Sequence, residues 1–553
     1  MSTASASAVR SDWKPTDKWL LGIVLAVINF WLFAQTLLNV IPGIQDGLGI
    51  ERTVGNLAVS VTSLFSGIFI VVAGGLADRI GRAKIMNIGI WLSIAGSLLI
   101  VLTPENAGVL TSAMLLGGRV VQGLSAACIM PSTMALIKTY YQGKDRQRAL
   151  SFWSIGSWGG SGFCSLFGGL MAATFMGWRS IFWISIVLSI LALFLVRGTP
   201  ESKAAVEPGA PAHRFDWSGL VCFIVMLVAI NVYISQGPNI GWLSWTGIAL
   251  LAAFVVFGLA FLQIEISKST SFVDLKLFKN GTFTGATLSN FLLNGAAGTL
   301  IVSLGLVQVA AGMSSLQSGL LTLGYLVAIL STIRVGEKLL QKFGPKKPML
   351  WGSIITGVGI LMCSMTFLLI DQYIVLTVIG FTLFGVGLGF YATPSTDAAL
   401  SNVPDNQVGA ASGIYKMASS LGNAIGVAIS AALYVAAQAV DPKLIESWGL
   451  FMGRQDNVAL RFGGAVGLLF NVFMVLVAIA AIILTVPAER SKEEENARPD
   501  EVALRRSATE WDDGPENSPE DRPEDRSSSL CAELNGSVAL PMLQRHTQPE
   551  CGA

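Results

Sequence analysis

Fourteen apolar stretches, each at least 19 residues long, follow one another between residues 19 and 487. They lie near 19–41, 54–76, 84–103, 108–137, 150–172, 179–197, 217–236, 243–264, 283–310, 315–333, 348–369, 373–397, 410–437 and 463–487. About twenty helical residues cross the hydrocarbon core of a bilayer. Inside it every backbone polar group must be satisfied within the protein, so runs of this length predict helices. Only 13% of residues are charged, against about 25% in soluble proteins, and the mean hydropathy is +0.62. The expected fold is an all-α polytopic membrane protein in a lipid bilayer.

Charge sets the expected orientation. Alternate loops hold 18 Lys and Arg residues and the remaining loops only 5, which places the first set, and both termini, in the cytoplasm. The polar start, residues 1–18, lacks the apolar core and cleavage site of a signal peptide. Residues 489–553 hold 16 acids and 8 bases, too little apolar material for a core, and are expected to form a disordered acidic cytoplasmic tail. Its sequon at Asn535 would not be modified on that side. The six cysteines lack metal-site spacing. The two histidines, His213 and His546, both lie in polar segments, so a His-based metal site or catalytic triad is not expected. No Walker-type loop is present and no nucleophile–base constellation stands out, so no cofactor, enzymatic activity or nucleic-acid partner is expected.

An internal repeat divides the chain. At an offset of 263, Pro131-Ser132-Thr133 falls on Pro394-Ser395-Thr396, and Gly81, Lys84 and Met86 fall on Gly344, Lys347 and Met349. The expected organisation is a six-helix bundle at 19–197, a linker with two extra helices at 198–282, and a second six-helix bundle at 283–487. Paired bundles of this kind place small-molecule sites near the bilayer midplane.

Between the second and third stretches runs Gly74-Gly75-Leu76-Ala77-Asp78-Arg79-Ile80-Gly81-Arg82-Ala83-Lys84. Gly74 and Gly81 permit tight turns and close approach. Asp78, among Arg79, Arg82 and Lys84, is expected to hold one conformation shut through a salt bridge or a helix N-terminus. The second copy has Gln341 where the first has Asp78, so the acid is expected in one half only. In the fourth stretch Arg119 and Gln122 sit deep in apolar sequence, where a charge needs a cavity or a partner. The fifth carries Gly156, Gly159, Gly160, Gly168 and Gly169, small residues that let helices pack closely. The first is polar but neutral at Asn29, Gln35 and Asn39. Asp397 closes the twelfth and Lys416 lies about two turns into the thirteenth; they are candidates to pair and to relay protons, with a static end-of-helix pair as the alternative. Phe30, Trp31, Phe33, Trp153, Trp158, Phe291, Phe390 and Tyr391 are candidates to line an apolar cavity.

Gly-x-Leu-Ala-Asp-Arg-x-Gly-Arg resembles the signature loop of the major facilitator superfamily of secondary transporters. Leu115-x3-Arg119-x2-Gln122-Gly123-x-Ser125-Ala126-Ala127 resembles the second motif of its drug/proton antiporter branch. Trp178-Arg179-x-Ile181-Phe182 is similar to the fourteen-span group. Members of that branch carry a Gly-Pro pair where this chain has Cys164-Ser165, and an Asp where it has Ala34. Both departures are shared with the quinolone-resistance efflux type, which the chain also resembles at residues 31–35, 122–131, 143–150, 154–162 and 391–397. Residues about 14–487 fall within the resemblance. It implies a major facilitator fold and efflux of diverse lipophilic drugs (quinolones, dyes, quaternary ammonium compounds) driven by the proton motive force. It also implies a plasma-membrane monomer in which Arg119 bears on proton coupling or site polarity. A single-metabolite facilitator is the alternative, kept by the missing first-helix Asp; a receptor or scaffold is the remote one.

Overall fold

The computed structural model describes residues 13–34, 36–172, 174–203, 216–267, 275–401, 403–449 and 457–488, all within one compact unit. Among them there is no β-strand. The helices are α1 (Asp17–Ala34), α2 (Leu37–Leu48), α3 (Arg52–Ile80), α4 (Arg82–Val101), α5 (Val109–Tyr140), α6 (Gly143–Ser154), α7 (Gly160–Ala172), α8 (Arg179–Leu195), α9 (Trp217–Ile240) and α10 (Trp245–Ser267). They continue as α11 (Gly281–Gly295), α12 (Gly298–Ala310), α13 (Ser315–Leu320), α14 (Leu323–Phe343), α15 (Lys346–Cys363), α16 (Ile370–Ser401), α17 (Val408–Ala437), α18 (Pro442–Ser447) and α19 (Val458–Thr485).

Each of the fourteen apolar stretches holds helix. Among the described residues, ten helical segments are long and apolar enough to cross a membrane by themselves. The first stretch is instead broken between α1 and α2, and the fifth is divided by a π-helical segment, Ile155–Gly159, between α6 and α7. A π turn inserts a residue into the ladder and is a recognised source of helix bending. It stands among the first glycines of the fifth stretch, ahead of Cys164-Ser165, where the helix-bending proline is missing.

The repeat is visible in the helices. α5 and α16 are each 32 residues long, with Pro131 inside one and Pro394 inside the other. α3 lies along α5 and α17, α4 along α5, and α14 and α15 along α16, while α11 lies along α17 and α19. The two extra helices pack on each other, and α9 also touches α3 and α17. α10 exposes Val255, Val256, Leu259 and Ile266, an apolar surface suited to lipid. A shallow crevice lies between α3, α9 and α17, bordered by Ser63, Asn231 and Ser420 among others. None of the aromatic residues expected to line a cavity borders it.

Candidate functional site

The stretch 74–84 is not the loop its glycines suggest. α3 continues through Asp78 to Ile80, and Gly81 alone makes the turn, at φ +139°. Only glycine adopts that conformation readily. Gly74 and Asp78 therefore share one face of the last two turns of α3, and that face lies against the start of α17. A Cβ on Gly74 would stand 2.3 Å from the Gly409 carbonyl oxygen, so no other residue fits that approach unmoved.

Asp78 is buried. Its Oδ1 accepts from Arg82 Nε at 2.9 Å and Nη2 at 2.8 Å, and its Oδ2 accepts the Ala410 backbone N–H at 3.1 Å. The first N–H groups of a helix have no partner within it and carry its partial positive charge. Asp78 thus caps α17 from another part of the chain. Arg82 also donates to Thr139 Oγ1 at 2.7 Å and, through Nη2, to the Asp405 carbonyl at 2.7 Å. Arg79 is exposed and stands apart from this cluster.

Two neighbours extend the same end of the bundle. Lys138 donates to the Val403 carbonyl and lies 3.5 Å from Asp405. Arg146, on α6, pairs with Asp397, on α16, at 2.9 Å. The expected Asp397–Lys416 pair is therefore absent: Arg146 reaches the carboxylate instead. Lys416 Nζ donates to Ser157 Oγ at 3.0 Å in the π-helical segment, and lies 5.0 Å from the centre of the Trp153 ring.

The acid is not confined to one half. Glu337, one turn before Gln341 on α14, is buried and accepts from Arg334 and, at 3.1 Å, from Gln341 Nε2. Residues four apart share a helix face, so a strict one-to-one register hid it. Arg334 also lies over the Phe152 ring of α6, 4.7 Å from its centre, with Arg148 at 5.8 Å from the same ring.

Arg119 and Gln122 come together. Arg119 Nε donates to the Ala58 carbonyl at 2.7 Å and Nη1 to Gln122 Oε1 at 2.8 Å; Gln122 Nε2 reaches Ser97 Oγ at 3.3 Å. These bonds tie α5 to α3 and α4. Among the glycines, Gly156 lies against Val24, Gly160 against Trp31, and Gly159 against Leu330 of α14, where a Cβ would meet the side chain at 2.4 Å. Gly168 and Gly169 lie within α7. Asn39 lies within α2, and Gln35 falls outside the described residues, as does the acidic tail.

Sequence reasoning missed Glu201. Its carboxylate accepts the Ala83 and Lys84 backbone N–H groups, each at 3.0 Å, capping α4. Nearby, the Ser202 carbonyl accepts from Arg82 N at 2.9 Å and Tyr140 Oη donates to the Pro200 carbonyl at 2.7 Å. It missed a hydroxyl chain as well. Ser289 and Tyr391 are 2.7 Å apart, Ser395 donates to Tyr391 at 2.8 Å, and Tyr415 lies 3.0 Å from Ser395 and 3.3 Å from Thr396. Pro394-Ser395-Thr396 carried the only hint of it, since hydroxyls in an apolar run need partners.

A family model described as Major Facilitator Superfamily matches the chain twice, at residues 20–286 and 284–514. The chain is a member of the major facilitator superfamily. Within that superfamily it is 49% identical, over 480 residues, to quinolone resistance protein NorB of Staphylococcus aureus strain MRSA252, covering 87% of this chain and 98% of that protein. The same protein of strain COL matches to the same extent. The fold is shared with a proton:xylose symporter, XylE, at TM-score 0.55 and 15% identity, covering 85% of this chain and 96% of that one. It is shared too with the human organic anion transporter MFSD10, at TM-score 0.54 and 15% identity, over 85% and 100%. The chain is therefore a multi-pass membrane transporter of small molecules.

Proposed function

We propose that this transporter exports lipophilic drugs, quinolones among them, in exchange for protons. The observation that carries the reading is its 49% identity to NorB over 98% of that protein's length. Residues 19–197 and 283–487 act as two bundles that rock about a central site, with 198–282 adding two helices between them. The excess of Lys and Arg in one set of loops supports placing the Asp78–Ala410 end, and both termini, in the cytoplasm of a plasma-membrane protein. In this conformation that end is held shut, so Gly74, Asp78, Gly81 and Arg82 serve as the switch that alternating access must break. Arg119 and Gln122 set the polarity of the pathway, and the working unit is a monomer without a cofactor.

The test is expression in a host stripped of its own drug pumps. Raised tolerance to fluoroquinolones and ethidium, abolished by a protonophore, is the expected result. Unchanged accumulation across a broad panel of dyes and drugs overturns the proposal and favours a single-metabolite permease.

A further inference from the structure

Lys416 stands out among the buried charges. It is 4% exposed and lies eight residues into α17, about 12 Å along the helix at 1.5 Å per residue. An ammonium has three N–H donors. Here one meets Ser157 Oγ at 3.0 Å, and the Trp153 ring supplies a π face. Trp153 is itself fixed, its Nε1 donating to Thr133 Oγ1 at 3.0 Å. No carboxylate pairs with Lys416 among the described residues.

The surrounding elements explain why. On α3, Asp78 is held by Arg82; on α16, Asp397 is held by Arg146 and Asp371 lies at the opposite end; Asp405 faces Lys138. α5 brings the cations Arg119 and Lys138, and α19 brings Arg461. α6 brings Lys144, Asp145 and Arg148 in its first two turns. α9, α11 and α12 bring no charged residue. Tyr391 and Tyr415 are occupied with Ser395. Lys416 is thus a buried, carboxylate-free cation whose contacts, Ser157 and Trp153, belong to the other repeat. A charge held this way responds both to what enters the site and to how the repeats meet.

Resting on the drug/proton exchange proposed above, we propose that Lys416, and not Asp397, carries the exchanged proton. A drug arriving from the cytoplasm displaces one proton from Nζ into cytoplasmic water, leaving the neutral amine. After the transporter turns, a proton from outside takes up the Nζ lone pair and the drug leaves. One proton enters for each drug exported. Exchange of a monovalent cationic drug is electroneutral, and exchange of a zwitterion carries one positive charge inward.

Purified full-length protein in weakly buffered detergent, with a soluble pH indicator and ethidium as the probe, reads the first step. Wild type and Asp397→Asn release protons on binding ethidium, although Asp397→Asn turns over more slowly. Lys416→Gln binds ethidium and releases less than about a tenth of the wild-type amount, because no proton is left to exchange. Lys416→Arg keeps the charge but does not give up its proton; it guards against a Gln variant that fails to fold, and it too releases none. Wild-type release from either Lys416 variant, or no release from Asp397→Asn, overturns the assignment. The parent reading is read separately in proteoliposomes. Wild type that cannot drive ethidium uphill with a pH gradient overturns both proposals, whereas uphill transport by wild type and Lys416→Arg alike overturns this one alone.

Discussion

Asp78 at the end of α3 accepts the backbone N–H of Ala410, 332 residues further along the chain, at 3.1 Å. The same carboxylate holds Arg82, whose guanidinium reaches the Asp405 carbonyl at 2.7 Å. One buried side chain therefore neutralises a cation and caps a helix of the other repeat. Removing one partner of a buried pair leaves an uncompensated charge, at a cost of about 3–5 kcal/mol. The Asp78–Arg82 pair lies within one repeat and need not break when α3 and α17 separate. The contacts that do cross, Asp78 to the Ala410 N–H and Arg82 to the Asp405 carbonyl, are hydrogen bonds to charged groups worth about 1.5–3 kcal/mol each, and they favour the shut conformation.

Asp78→Asn leaves Arg82 without its counter-charge and weakens the cap. Transport is expected to fall about tenfold or more, the equivalent of at least ~1.4 kcal/mol, while drug binding changes little. Parallel measurements of initial efflux rate and equilibrium binding check this; an unchanged rate would remove the latch role.

Gly74→Ala acts through space alone. Its Cβ would sit 2.3 Å from the Gly409 carbonyl oxygen and 3.3 Å from Pro131. Overpacking of this kind costs about 1–3 kcal/mol, and the closest approach, to Gly409, is made in the shut conformation. A single cysteine at Ser412, which is buried, is expected to react faster with a water-soluble maleimide in the Gly74→Ala background than alone.

Glu201→Gln removes the charge that caps α4. Loss of such a cap costs about 0.5–2 kcal/mol, so the protein is expected to melt at a lower temperature in detergent and to transport more slowly. The linker segment that carries Glu201 bonds to the same turn through Ser202, so a stability loss with wild-type transport would separate the cap from the switch.

Arg334 and Phe152 join α14 to α6. A double-mutant cycle with Arg334→Met and Phe152→Leu is expected to give a coupling of about 0.5–2 kcal/mol in thermal stability. Coupling near zero would mean that the ring and the guanidinium are merely adjacent.

Much of this was legible in sequence because the bilayer leaves few options. Apolar length located the helices, and the Pro-Ser-Thr register located the repeat. Asp78 and Arg82 were visible because charged residues at the edge of an apolar run need partners. What sequence spacing cannot carry is which distant backbone supplies a partner: Glu201 reaches Ala83 and Lys84 across some 117 residues. Lys416 and Asp397 were candidates to pair because both lie toward one end of their helices, yet Arg146 on a third helix reaches Asp397 first. Glu337 was passed over because a one-to-one register compares positions, whereas a helix face also accepts a residue one turn away.

Transport in inverted membrane vesicles tests the central claim most directly. With a pH gradient imposed, acidic inside, wild-type vesicles are expected to accumulate ethidium and to lose part of the gradient as they do so. Accumulation that is indifferent to the gradient, or no accumulation at all, would contradict proton-driven drug export.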